Sequence, residues 1–227
     1  MIKNLCNSKL RTFFPGKIRV LTFALAALAL PVAAVPVTVQ EVGVGPNEIV
    51  EMTSSTLGTA WVYAGPLNLL VNGSPTEGFC IDPYHWSVTG PQAYNTETLG
   101  DGPKAPGGAM GSAKALKIEQ LYAHYFSSDM SDQTGAGLQI AIWELVGGSD
   151  FQLDSQNDFG AADMLAWVNA NPDAQAADLL AVTGPGQDYT IPRNSVPDGG
   201  ATIVLLASGL LGLAALRSRL LVKSATR

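Results

Sequence analysis

The chain has 227 residues, with 19 acidic and 13 basic side chains and a formal net charge of −6. Every acidic residue lies between Glu41 and Asp198, an interval whose basic residues are only Lys104, Lys114, Lys117 and Arg193, so that stretch carries a formal −15. Such a field opposes nucleic acid and anionic lipid as partners, and two cysteines, Cys6 and Cys80, are too few for a disulfide framework.

At the N-terminal end Lys3, Lys9, Arg11, Lys17 and Arg19 precede an apolar run, Val20 to Leu30, and then "PVAAV", with Val32 and Ala34 at the small-residue positions of a cleavage site. This pattern predicts a signal peptide over 1–34, cut after Ala34. A retained anchor is the alternative, but the run falls short of the ~20 residues that span a bilayer. Cleavage would remove Cys6 and leave Cys80 as the lone thiol of an exported protein.

Residues 35–190 are expected to form one ectodomain. The part from Val35 to Val88 favours strands: "VPVTVQEVGV" alternates, "TAWVYAG" and "LNLLVNG" are short β-rich runs, and Asn72-Gly73 is a hairpin-turn dipeptide. Residues 89–111 are dense in Gly, Pro and polar side chains and read as a long surface loop. Helical periodicity follows in "SAKALKIEQLYAHYF", with Ser112 as a candidate cap, in "GAGLQIAIWELVGG", closed by Gly147, and in "FGAADMLAWVNANP", closed before Pro172. "DLLAVTGPGQDYTIPRN" reads as one or two late strands. The fold class expected is α+β, a β-rich barrel or sandwich-like part packed with a small helical layer.

Beyond it, a linker over 191–200 ends in Val196-Pro197-Asp198-Gly199-Gly200, an apolar segment spans 201–216, and a basic tail, 217–227, carries Arg217, Arg219, Lys223 and Arg227. The apolar segment predicts a short transmembrane helix with the tail in the cytoplasm.

The chemistry centres on two residues. At about 100° per residue, Gln139 falls between Val146 and Trp143, inside the apolar stripe of its helix. An amide buried there without a partner costs roughly 1 to 3 kcal/mol. A hydrogen bond to nearby backbone is the bland account. The sharper one joins Gln139 to the unpaired Cys80: a thiolate held against a carboxamide and away from water can expel ammonia and leave an internal thioester.

In their local words the pair is more informative. "GFCID" and "LQIAIWEL" resemble the thioester domains of bacterial surface adhesins, with Phe79-Cys80 as the first element and Leu138 to Trp143 as the second. The resemblance spans roughly Thr59 to Leu180. It implies a Cys80–Gln139 crosslink shielded by Phe79, Ile142 and Trp143. An amine on a partner surface protein or matrix component would attack the carbonyl, so the protein is consumed once and is not a turnover enzyme.

The sorting segment, Val196 to Gly200 with the span and basic end behind it, resembles PEP-CTERM sorting domains of the kind that begin Val-Pro-Asp. This implies processing by an exosortase-type membrane enzyme, transient anchoring by the C-terminal helix, and delivery to the cell surface or extracellular matrix.

Three other readings stay open at this point. The ectodomain could be a non-reactive structural or matrix-binding module in which Cys80 is a buried free thiol. Cys80 and His85 could be the nucleophile and base of a hydrolase, although Pro83 interrupts "CIDPYH" and His85 also suits a packed loop end. The cluster Asp150, Asp154, Asn157, Asp158 offers hard oxygen ligands, but Phe159 and Leu165 stand where a calcium loop needs Gly and Glu, so a solvated acidic loop is expected and no metal. Zinc spacings, phosphate loops and dinucleotide fingerprints are absent from the sequence, and no cofactor is expected.

Overall fold

The computed structural model describes residues 35–103 and 108–196. The predicted signal peptide 1–34, the sorting residues Pro197 to Gly200, the helix 201–216 and the tail 217–227 lie outside the described residues. Among the described residues no helix is long and apolar enough to cross a membrane.

In chain order the elements are β1 (Val35–Val44), β2 (Glu48–Ser54), β3 (Gly58–Ala64), β4 (Leu67–Val71), β5 (Ser74–Cys80), β6 (Gln92–Thr98), α1 (Ser112–Tyr125), α2 (Asp132–Gly147), β7 (Phe151–Leu153), α3 (Ala161–Ala170), β8 (Leu179–Thr183) and β9 (Tyr189–Pro192). Six strands close a barrel in the order β1-β4-β5-β9-β8-β6, and β3-β2-β7 form a separate small sheet. All pairings are antiparallel. The architecture is therefore α+β, with a barrel as the β part.

Local chemistry accounts for most of this. Val37 and Val39 of β1 point inward while Thr38 points out, the alternation of a strand with one wet face. Asn72 and Gly73 both take positive φ, 51° and 80°, the two-residue turn that joins β4 to β5. β8 is buried at all five of its positions, the apolar run Leu179 to Val182 followed by Thr183, whose hydroxyl donates to Glu97 Oε1 at 3.2 Å.

Four expectations need correction. Residues 89–111 contain a strand, β6, which pairs with β1 on one side and β8 on the other. Its polar side chains are exposed or half-buried and only Tyr94 is fully buried, so two ladders of backbone hydrogen bonds outweigh a loop-like composition. Ser112 is the first residue of α1; the N-cap is Gly111, and no side chain caps that end. α2 begins one turn earlier than its apolar pattern, at Asp132, because Ser131 accepts a hydrogen bond from the Thr134 amide at 3.1 Å. The acidic stretch is partly strand: β7 pairs with β2, Asp154 accepts from the Thr53 hydroxyl, and Asp158 accepts from the Gly160 and Ala162 amides at the start of α3.

Among the described elements α2 packs on the most others. It is buried continuously from Gly135 to Trp143 and packs on α1 and α3 as well as on β2, β3, β5 and β7. Two glycines permit that approach: a Cβ at Gly135 would lie 2.4 Å from the Pro46 carbonyl oxygen, and one at Gly137 would lie 2.3 Å from that of Phe159. This packing fixes the height and rotation of α2 against β5, and with them the position of Gln139.

Candidate functional site

The site begins with an incomplete ladder. β4 pairs with β5 only as far as Gly78, opposite Leu67, after which the chain turns away through Gly65 and Pro66. β9 covers the other side of β5 at Phe79 and Cys80. The Ile81 amide bonds to the Asp188 carbonyl at 3.0 Å, so by the two-residue alternation of an antiparallel ladder the Cys80 N–H and C=O point away from β9, towards the side β4 has left. Both groups are buried there and need partners.

Gln139 supplies them. The Cys80 N–H donates to Gln139 Oε1 at 3.0 Å, and Gln139 Nε2 donates to the Cys80 carbonyl at 2.8 Å. One carboxamide thus replaces the missing peptide of β4. Gln139 is 0% exposed and Cys80 2% exposed, and residues 59 apart in sequence are brought into contact.

Cys80 is a free thiol in the structure. Its S–H donates to the Asp82 carbonyl at 3.3 Å, and the Asp82 amide donates back to the sulfur at 3.3 Å. Burial pushes the thiol far above its ordinary pKa, and the Asp82 charge adds to this. The indole N–H of Trp143 acts in the opposite direction, yet it makes no hydrogen bond of normal geometry and is a buried donor without an acceptor.

Cys80, Gln139 and Trp143 share the wall of a cavity of about 370 Å³. Glu41, Trp61, Tyr63, His85, Trp86 and Gln187 also line it. Trp61, Tyr63 and Trp86 are more than half exposed, at 65%, 58% and 56%, so the cavity opens through an aromatic rim.

Of the other residues singled out in the sequence, Phe79 and Ile142 are fully buried but lie off the cavity wall. Phe79 meets the rings of Tyr122 and Phe126 edge-on, each at 6.0 Å, and so clamps β5 to α1. Val196 is half-buried at the end of the described chain. The acidic stretch holds no group of side chains suited to a metal ion, among the described residues.

Sequence reasoning missed the arrangement around His85. Asp82, 1% exposed, accepts from His85 Nδ1 at 2.8 Å, from the Tyr84 amide at 3.0 Å and from the Asp188 amide at 3.4 Å. Burial raises the Asp82 pKa, and the hydrogen bond from His85 opposes that rise. The available signal was the three-residue spacing of Asp and His across Pro83, the reach of a turn. The aromatic rim was legible as Trp61 and Tyr63 on the same, outward face of β3, which a purely structural strand would fill with polar residues.

Comparison with known proteins adds the following. The VPDSG-CTERM motif matches residues 195–220, where this chain has Gly199 at the motif's serine. This sorting motif supports an exported, cell-surface protein. Among solved structures the chain is similar to the N-terminal thioester domain of a surface protein from Clostridium perfringens, at 12% identity and a TM-score of 0.39, over 64% of this chain and 99% of that one. At that TM-score the likeness carries nothing for the site, whose chemistry is read from its own geometry. No curated protein matches the chain.

Proposed function

We propose that this is an exported surface protein whose ectodomain forms an internal thioester between Cys80 and Gln139 and uses it once, to attach covalently to an amine on a partner surface or matrix component. The observation that carries the reading is the doubly hydrogen-bonded carboxamide of Gln139 lying against Cys80 in a buried seam, with both residues on the wall of an open cavity.

The bond would form as follows. The Cys80 sulfur adds to the Gln139 side-chain carbonyl carbon, the C–N bond breaks, and ammonia leaves with the thiol proton. The charge that builds on Oε1 is met by the Cys80 N–H, already 3.0 Å away. The raised thiol pKa makes the sulfur a poor nucleophile at neutral pH. An intramolecular contact offsets this, since well-oriented groups reach effective concentrations on the order of 10⁵ M or more. The finished thioester is then an electrophile facing the cavity. Its aromatic rim and Glu41 suit an ammonium-bearing side chain, which cation–π contact and charge would draw in. The tail fits processing by an exosortase-type enzyme after transient anchoring, which would leave the ectodomain at the cell surface or in the matrix.

A second reading has one observation in its favour. The carboxamide already satisfies both free backbone groups of Cys80, so a non-reactive module would have a structural reason to keep Gln139. Intact mass of the mature protein separates the two. The reactive form is lighter than its calculated mass by one ammonia and gains one methylamine on incubation with that amine. Full calculated mass with no uptake ends the thioester reading and leaves the structural one.

A further inference from the structure

We propose that His85, held by Asp82, carries the proton in the acyl transfer: its Nε2 takes a proton from the attacking amine and hands it to the Cys80 sulfur as the carbon–sulfur bond breaks. The inference rests on the Cys80–Gln139 reading above and adds to it the residue that makes the exchange fast.

The bookkeeping of the step calls for such a group. An amine that attacks the thioester carbonyl forms a C–N bond and becomes positively charged, and the departing sulfur carries the electron pair of the broken C–S bond. The first must lose a proton and the second must gain one. In a buried seam the second requirement is strict, because Cys80 is surrounded by apolar groups and the Asp82 charge, which disfavour a thiolate. A single base that passes the proton from nitrogen to sulfur meets both needs and ends as it began.

His85 is placed for this. In the neutral ring beside an ionised Asp82, Nδ1 carries the hydrogen of the 2.8 Å bond and the lone pair is on Nε2. That nitrogen has no hydrogen-bond partner among the described residues, and the side chain, 40% exposed, lines the cavity that Cys80 and Gln139 also line. Asp82 links ring and sulfur directly: its backbone amide and carbonyl hold the thiol at 3.3 Å each, and its carboxylate holds the imidazole. The remaining ionisable groups facing this space are Glu41 and Tyr63 on the cavity wall and Asp188 behind Asp82. Glu41 accepts from the Tyr189 hydroxyl and has no bonded link to the Cys80 loop. The Asp82 carboxylate meets only the His85 ring and the Tyr84 and Asp188 amides, so that side chain acts through the imidazole as a positioning group.

The test uses the secreted protein. Mass first establishes that wild type carries the bond, and the rate of methylamine uptake is then measured for wild type, H85A and D82N, with and without added imidazole. His85→Ala should slow uptake by about 10²-fold or more at unchanged thioester content, and imidazole should restore its rate in proportion to concentration, beyond any effect on wild type. Asp82→Asn should slow uptake by a smaller factor. A rate in H85A within about threefold of wild type, or a slow rate that imidazole does not lift, overturns the proposal while the thioester stands. Should H85A emerge without the bond, the same addition reads on its formation: ammonia loss restored by imidazole supports the shuttle, and none overturns it. A wild type without the bond overturns this inference and the reading beneath it together.

Discussion

Opening the crosslink with methylamine should lower the thermal stability of the ectodomain by an amount that the loop length sets. Cys80 and Gln139 are 59 residues apart. In the chain-entropy model, releasing a loop of that size returns about 4 kcal/mol of conformational freedom to the unfolded chain at room temperature. The folded state should change little, because an N-methyl carboxamide keeps the carbonyl oxygen that accepts from the Cys80 N–H, the bond that the thioester carbonyl can also accept. The loss thus falls on the unfolded side, and for a domain of this size it corresponds to a fall in melting temperature of roughly 8 to 16 °C. The assay is a thermal melt by circular dichroism on paired samples whose methylamine uptake is read by mass. Cys80→Ala is the control: it should melt near the opened protein and ignore methylamine. Full uptake with an unchanged melt refutes the loop argument.

Two further predictions concern the same seam. In the opened protein Cys80 is a buried thiol whose folded pKa stands well above its ordinary 9.0, so its contribution to stability is complete below pH 9.0 and is lost as pH rises from there towards the folded value. Melts across that range should show the opened protein weakening relative to Cys80→Ala, and parallel curves would mean the thiol is not buried in solution. Gly137→Ala gains about 1 kcal/mol of helix propensity, but its Cβ would meet the Phe159 carbonyl oxygen at 2.3 Å. The variant should therefore unfold at lower urea and, because α2 must shift, should form less thioester; a raised midpoint with full thioester would show that the helix is not pinned there.

How far the sequence carried the fold depended on whether an element's side chains or its backbone decided it. α1, α2 and α3 were legible because buried residues such as Ile118, Leu121, Ile140 and Val168 recur at helical spacing. β4 and β5 were legible through Asn72-Gly73. β6 and β7 were not, since Gln92 to Thr98 and Phe151 to Leu153 are held by ladders to β1, β8 and β2, which a local reading cannot see. The burial of Gln139 could be read from the helix wheel, but the identity of its partner as the Cys80 backbone could not. That depends on where β4 leaves β5, which Gly65 and Pro66 mark only in hindsight.

The gap beside Cys80 also explains why the residue opposite must be glutamine on either reading. The backbone that β4 leaves offers one donor and one acceptor, in a buried seam where α2 stands off at a distance its packing glycines fix. A glutamate lacks the donor unless protonated, an asparagine is one methylene short, and an aliphatic side chain would leave two buried groups unpaired at about 1 to 3 kcal/mol each. Glutamine alone presents a peptide-like end at the right reach. The same end carries the electrophilic carbon, and the strand residue it must satisfy is the cysteine itself. A requirement of backbone hydrogen bonding therefore brings nucleophile and electrophile to one place without any catalytic scaffold, and the unpaired Trp143 N–H and the bonded His85–Asp82 pair are features that the structural requirement does not explain.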